Sequence, residues 1–223
     1  MIEYRQEAEA GKRDATGKGK SKPWRKWRNM TMRRYLLVVA LAALVLATAF
    51  AQGTPTPIPI LNEHFNLDTL SCSPGNPCST PGITGWLCGP QTYTQKMSTV
   101  QYPSAPPEGL YVSAIGNSVS TGSILQTVGA TVQANTTYTL TLGVGARADY
   151  SFTGYFAALM AGNVTLASGN SATPVGGEFV NEVIVYNSGA TPARLGLPLQ
   201  ILVKSIGTGE VNIVAVSLTA TPE

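Results

Sequence analysis

TTYTLTLGVGAR, residues 136–147, decides the fold. Tyr138, Leu140, Leu142 and Val144 fall on one side of an extended chain, and Thr137, Thr139, Thr141 and Gly143 on the other. This is period two, and threonine suits the solvent face of a sheet. The same alternation recurs in PLQILVKSI (198–206), through Leu199, Ile201 and Val203. In EFVNEVIVYN (178–187), Val183 and Val185 alternate with Glu182 and Ile184, which predicts a strand partly covered on both faces. EVNIVAVSLTA (210–220) begins on Val211 and Ile213 and then shifts to Val214, Val216 and Leu218. A one-residue phase slip of that kind is what a β-bulge produces.

Shorter strands are predicted in 83–88, 92–100, 109–115, 118–128, 153–162 and 163–169. Gly162-Asn163, between apolar runs, is a two-residue hairpin signal. Helix formers are scarce and no apolar 3.6-residue period persists for three turns. The expected fold is therefore all-β, an antiparallel β-sandwich of jelly-roll type over residues 59–220. QGTPTPIPI (52–60) reads as an extended Pro/Thr stretch, with the linker itself at 52–58.

Upstream, MRRYLLVVALAALVLATAFAQG (32–53) has the parts of an export signal. Arg33 and Arg34 are basic, Leu36 to Ala47 is an apolar run, and Ala49-Phe50-Ala51 places cleavage after Ala51. A retained anchor is the alternative, although a spanning helix needs about 20 apolar residues. Residues 1–31 are polar, basic and without hydrophobic periodicity, as a disordered extension would be. Met30 and Met32 offer later starts that would make the signal N-terminal. The expected location is secreted, extracellular or periplasmic, with membrane contact only through the signal peptide.

Charge divides at the same place. Residues 1–51 hold eleven Lys or Arg against four acids, a net of +7; residues 52–223 hold four against eight, a net of −4. The mature 172 residues lack the clustered Lys and Arg of a nucleic-acid surface, so no nucleic-acid partner is expected. They are enough for one domain with a sizeable core. Cys72, Cys78 and Cys88 are spaced C-x5-C-x9-C, which matches no zinc motif. A disulfide is favoured, with Cys72–Cys78 across the turn-rich SPGNP preferred and the other pairings open.

Several segments in order, ILNEHF, ITGW, GSILQTVGATVQANTTYTLTLGVGAR, TGYFAALMAGNVTLASG, GEFVNEVIVYNSGATP and GLPLQILVKSIGTGEVNIVAVSLTA, resemble one module. It is similar to the galactose-binding-like jelly roll of secreted bacterial proteins, many of which carry a PEP-CTERM sorting tail. The resemblance implies a sandwich related to carbohydrate-binding modules. Members commonly have an acidic residue after the first-strand phenylalanine and end in F-D-N-V. Here Asn66 follows Phe65, and Ile213-Val214-Ala215-Val216 stands at the end. Related jelly rolls use carboxylates at those two places for structural calcium. That site is therefore expected to be lost, and no other cofactor or metal is expected. TATPE at the C-terminus does not resemble a sorting tail.

For function, His64 is the only histidine, so a Ser-His-Asp or Cys-His system would rest on it alone. Glu178 and Glu182 share strand parity and would stand about 13 Å apart, too far for a glycosidase pair. They read as solubilising outer-face charges. Arg147, Asp149, Tyr150, Phe152 and Tyr155 fall within nine residues at a strand end, and Tyr93, Tyr102 and Tyr111 precede other strands. Tyr150, Tyr155, Arg147 and Asp149, with Tyr93 and Tyr102, are the candidate ligand-binding residues, at a sandwich rim where aromatics would stack on sugar rings. The competing assignment is packing, with phenol oxygens reaching water. Trp86 reads as a core anchor. The expectation is a non-catalytic module binding glycans, the alternative a surface or matrix structural protein, and the distant third a glycan-active hydrolase.

Overall fold

The computed structural model describes residues 53–71, 78–104 and 111–223. The chain divides into two units, Met1–Ala51 and Gln52–Glu223, and all the described residues belong to the second, where they form a single sandwich. The basic extension, the export signal with its cleavage site at Ala51, and Cys72 lie outside the described residues.

Period-two patterning does produce strands, and no helix occurs among the described residues. In chain order they are β1 (Thr56–Ile58), β2 (Cys78–Pro81), β3 (Leu87–Cys88), β4 (Thr92–Lys96), β5 (Tyr111–Ile115) and β6 (Ser123–Thr131). Then follow β7 (Thr136–Ala146), β8 (Tyr155–Ala161), β9 (Val164–Gly169), β10 (Glu178–Asn187), β11 (Pro198–Ser205) and β12 (Val211–Pro222). Seven strands form one antiparallel sheet in the order β10-β7-β12-β5-β4-β2, with β1 also on β12; five form the other, β3-β6-β11-β8-β9. The all-β antiparallel sandwich is therefore the fold.

Between the sheets lie the inward rows of the strands. Tyr138, Leu140, Leu142 and Val144 of β7 meet Leu199, Ile201 and Val203 of β11, and all are buried. Each fully buried aliphatic side chain adds about 1.5–3 kcal/mol of hydrophobic stabilisation. The bulge in β12 is present. Its register with β7 shifts between Val214 and Ser217, and Ala215 has φ 50°. The extra residue lets Val211 and Ile213 before it, and Val216 and Leu218 after it, all face the core. The Gly162-Asn163 turn joins β8 to β9, with φ 56° and 62°, both left-handed as a two-residue hairpin requires.

Three expectations need correction. The Pro/Thr stretch is not wholly a linker, because Thr56–Ile58 pairs with Leu218–Ala220 of β12. Proline tolerates such an edge position because an outward N–H is not needed there. The 83–88 strand shrinks to Leu87–Cys88, since Ile83 to Trp86 make a turn closed by Trp86 N–H donating to the Ile83 carbonyl at 3.1 Å. In β10 the expected polarity is inverted: Val183 and Val185 are 55% exposed, while Glu182 is 4% exposed. A free sheet edge and a specific polar nest, described below, override the simple reading that charge points outward.

Trp86 is a core residue, tilted against Phe65 with ring centroids 5.7 Å apart. Trp86→Ala is expected to lower unfolding free energy by about 3–5 kcal/mol in a urea titration. An unchanged midpoint would show that the indole contributes nothing to the core.

Candidate functional site

Side chains alternate along a strand, so the strands that send β7's apolar row inward turn Gly143 and Gly145 outward. Strand register sets Phe179, Gly145, Asn212, Ala114 and Tyr93 in one row across the outer face of the seven-stranded sheet. Asn181, Gly143 and Val214 form the next row. With two glycines at its centre this face is bare, and the segment after β4 folds onto it. A Cβ on Gly145 would lie 2.8 Å from the Tyr102 hydroxyl oxygen and closer still to the Phe179 ring. Tyr102 and Phe179 stack there, centroids 4.4 Å apart and planes 20° from parallel. With Met97, Val112, Val214 and Ala215 they make a second hydrophobic cluster, separate from the core.

The segment is tied down locally. Gln101 and Tyr102 N–H groups donate to the Ser98 carbonyl at 3.1 and 3.0 Å, and Ala148 N–H donates to the Gln101 carbonyl at 3.0 Å. That last bond sets Tyr102 beside the end of β7, where Arg147 begins a polar chain. The Tyr102 hydroxyl donates to Asn212 Oδ1 at 2.5 Å, and Asn212 Nδ2 donates to Glu210 Oε1 at 2.9 Å. Arg147 Nη1 donates to both Glu210 oxygens at 3.2 and 3.3 Å, and its Nε and Nη2 bond Asp149 at 2.9 and 2.8 Å. The guanidinium carbon also lies 5.1 Å from the Tyr150 ring centre, a cation–π contact. Tyr150's hydroxyl oxygen accepts from Ser118 N–H at 2.7 Å.

One cation thus holds two carboxylates, and the network is net negative. Arg147's hydrogen bonds hold the Asp149 carboxyl below its ordinary range. Burial opposes the charge on Arg147, but its bonds to Asp149 and Glu210 outweigh that and keep it firmly protonated. Burial, with the nearby Glu210 charge, pushes the Tyr102 phenol up, so it stays a hydrogen-bond donor at any ordinary pH.

Of the sequence-derived residues, Tyr102, Arg147, Asp149 and Tyr150 come together here. Tyr93 sits in the same cross-sheet row but donates to Gln91 Oε1 at 2.8 Å rather than joining the chain. Tyr155 is elsewhere, 1% exposed between the sheets, so it is not a rim aromatic. Phe179, Glu210, Asn212 and the two glycines were not foreseen. Their signal was present only as outward parity opposite Gly143 and Gly145, which becomes readable once strand pairing is known.

Tyr155 belongs to a different polar nest. Glu182 points into the sandwich, and its carboxylate accepts from the Tyr155 hydroxyl, Ser171 N–H and Oγ, and Ala172 N–H. Burial alone would raise the Glu182 pKa; the hydrogen bonds together outweigh it and hold the carboxyl below its ordinary value. The nest ties the 170–177 connection to β10. That connection ends at Gly177, against Pro103 beside Tyr102.

Other sequence-derived positions are separate from both networks. His64 is part-exposed, with Nε2 3.8 Å from Glu63. Cys78 is disulfide-bonded and Cys88 carries a free, half-buried thiol. The two places where related jelly rolls put calcium carboxylates hold an exposed Asn66 and a buried Val214, which offer one amide oxygen and none. No group of three or more His, Cys, Asp or Glu side chains converges among the described residues.

The family model described as HpiC1-like, HpiC1 cyclase, matches residues 56–219. The chain belongs to this cyclase family. The match spans nearly the whole sandwich, including every residue of the outer-face network. Solved structures agree in fold. A Stig cyclase, Fisc, from Fischerella sp. TAU, in complex with (3Z)-3-(1-methyl-2-pyrrolidinylidene)-3H-indole, is 23% identical, with TM-score 0.68 over 76% of this chain and 99% of its own. A cyclase from Fischerella sp. TAU in complex with 4-(1H-indol-3-yl)butan-2-one is 23% identical, with TM-score 0.66 over 75% and 98%. A looser likeness links the chain to TmCBM61 in complex with β-1,4-galactotriose, 15% identical, with TM-score 0.47 over 73% and 98%. No curated protein sequence matches the chain.

Membership in a cyclase family overturns the expectation of a non-catalytic, carbohydrate-binding or purely structural module. Carbohydrate-binding modules stand among the structural neighbours only as loose likenesses, and a PEP-CTERM association is not shown. Aromatics beside charge suggested sugar stacking, but here the rings stack on each other and the charges bind one another.

Two outcomes test this geometry. Gly145→Ala is expected to displace Tyr102 or Phe179 and cost about 1–3 kcal/mol, read by denaturant unfolding; an unchanged stability would show that the bare floor is incidental. Glu182 has an ordinary pKa of 4.5 and a lower one when folded, so its stabilisation is complete above about pH 4.5 and lost as pH falls through the folded value. Glu182→Gln should therefore melt at lower temperature at pH 7 and show a shallower decline toward acid than wild type. Parallel declines would exclude this carboxylate as the acid-sensitive group.

Proposed function

We propose that this chain is a cyclase that closes a ring in a small, flat, mostly apolar aromatic molecule at the outer face of the seven-stranded sheet. The observation that carries it is the cyclase-family match across residues 56–219. The two Fischerella cyclases were solved with indole compounds, which makes an indole-bearing substrate the reading to test first. The chemistry of the site supports that choice. Phe179, partly exposed over the buried Tyr102, Met97 and Val214, offers a flat apolar surface. Its polar atoms are largely paired with each other, leaving little for the many hydroxyls of a sugar.

Ring closure within one molecule gains most from holding the reacting ends close and aligned. The stacked rings over Gly145 do the holding. Glu210 and Asp149 supply fixed negative charge behind that surface, suited to positive charge that develops on the substrate. Tyr102's phenol stays protonated and directs its proton to Asn212, which orients the ring. Proton movement in the reaction falls to groups at this network, with Glu210 the part-buried carboxylate linked to Tyr102 through Asn212.

Isothermal titration of the full chain with 4-(1H-indol-3-yl)butan-2-one tests the reading. Binding is expected, weakened about tenfold by Phe179→Ala through loss of the aromatic surface. On a panel of indoles with unsaturated side chains, Glu210→Gln should lower turnover about 10²-fold or more while leaving this binding nearly unchanged. No binding at millimolar ligand, or binding indifferent to Phe179, would overturn it.

A further inference from the structure

Gln101 is 1% exposed, yet among the described residues its side-chain Nε2 meets no hydrogen-bond partner. The amide cannot simply be turned over. Its Oε1 accepts from Ser98 N–H at 3.0 Å and from Ser98 Oγ at 3.3 Å, and a backbone N–H can be met only by an oxygen. The nitrogen is therefore held in one orientation with its donors unused. A buried donor left unpaired is costly, and native chains rarely carry one without a bound water or a ligand to meet it.

The position of this amide matters. Gln101 immediately precedes Tyr102 in the segment that covers the outer-face cluster, and its carbonyl is bonded to Ala148, one residue from both Arg147 and Asp149. Every other side chain of the polar chain between Tyr102 and Asp149 is already partnered within the protein. Among the described residues of this segment, Gln101 alone keeps an unspent buried donor. We propose that Gln101 Nε2 is a ligand-binding group that donates to a neutral acceptor, a carbonyl oxygen or an imine-type nitrogen, on the side chain of the aromatic substrate. The inference rests on the outer-face reading above and adds to it a chemical requirement: the substrate is an aromatic with an acceptor atom near the ring, not a plain hydrocarbon-substituted one. The substitution pattern of the ring is then read by packing, and the acceptor by one amide.

The test uses two probes of one skeleton, 4-(1H-indol-3-yl)butan-2-one and 3-butylindole, which lacks the ketone oxygen, titrated calorimetrically into the full wild-type chain. The ketone is expected to bind about tenfold or more tightly, because only it satisfies the donor. Gln101→Met, of similar length without a donor, should bring the two affinities together. Ser98→Ala, which loosens the same turn but leaves the amide nitrogen in place, should keep the preference, and a merely structural role for Gln101 would not make that distinction. Equal binding of both probes by wild type overturns the Gln101 inference and leaves the cyclase reading intact. Binding of neither removes the outer-face reading and this inference with it.

Discussion

Pairing of β7 with β12 is the constraint on which the remainder of the structure depends. Both are long strands at the middle of the seven-stranded sheet, and they face the core on one side and the candidate site on the other. Along the first half of the pairing, Gly145 lies opposite Asn212 and Gly143 opposite Val214. After the bulge the offset changes by one residue, with Ser217 opposite Thr141 and Leu218 opposite Leu140. Without that extra residue the alternation of β12 would turn Val216 and Leu218 outward once Val211 and Ile213 were turned in. The bulge thus lets one strand serve two faces: a continuous apolar row inward, and an Asn and a Val outward where the second cluster forms.

The same offset explains why the charged residues gather. Glu210 immediately precedes β12, and Arg147 immediately follows β7 in the antiparallel partner. Antiparallel pairing brings the start of one strand beside the end of the other, so residues 63 apart become hydrogen-bonded neighbours. Arg147 and Asp149 are two residues apart and meet locally. Glu210 and Asn212 join them only through the pairing. Half-burial then makes this arrangement self-consistent: the guanidinium needs both carboxylates to remain inside, and each carboxylate needs the guanidinium.

This also marks how far the sequence could be read. Strands with regular alternation, β7 and β11, were legible because one face is uniformly apolar. The β12 bulge was legible because its phase slip is written in Val211, Ile213, Val216 and Leu218. β10 was not. Its valines face outward at a free edge, and its buried carboxylate is stabilised by Ser171, Ala172 and Tyr155 from other parts of the chain, none of which leaves a periodic trace. Tyr155 was misplaced for the same reason: proximity in sequence to Arg147 and Asp149 suggested one rim, whereas the turn at 148–154 carries Tyr155 into the other sheet. The outer-face site was half legible, through Tyr102, Arg147, Asp149 and Tyr150, because aromatic and charged side chains stand out in a chain otherwise poor in both. Gly143 and Gly145 are legible as breaks in a strand and not as a floor, since what an absent side chain admits depends on what packs above it.

The error about function has a physical root. Exposed aromatics beside Arg and Asp serve a sugar face or an indole face equally well when only residue types are known. What separates the two is whether the polar groups are free. A sugar presents a hydroxyl on nearly every carbon, and each must exchange its water for a protein partner on binding. Here Tyr102, Asn212, Glu210, Arg147 and Asp149 are committed to each other, and Tyr102 lies flat on Phe179. Breaking that chain to serve hydroxyls would strand a buried charge. A flat aromatic with few polar atoms asks much less, chiefly apolar contact with the rings. The pairing state of the network, more than its composition, is what separates this face from one built to hold a sugar.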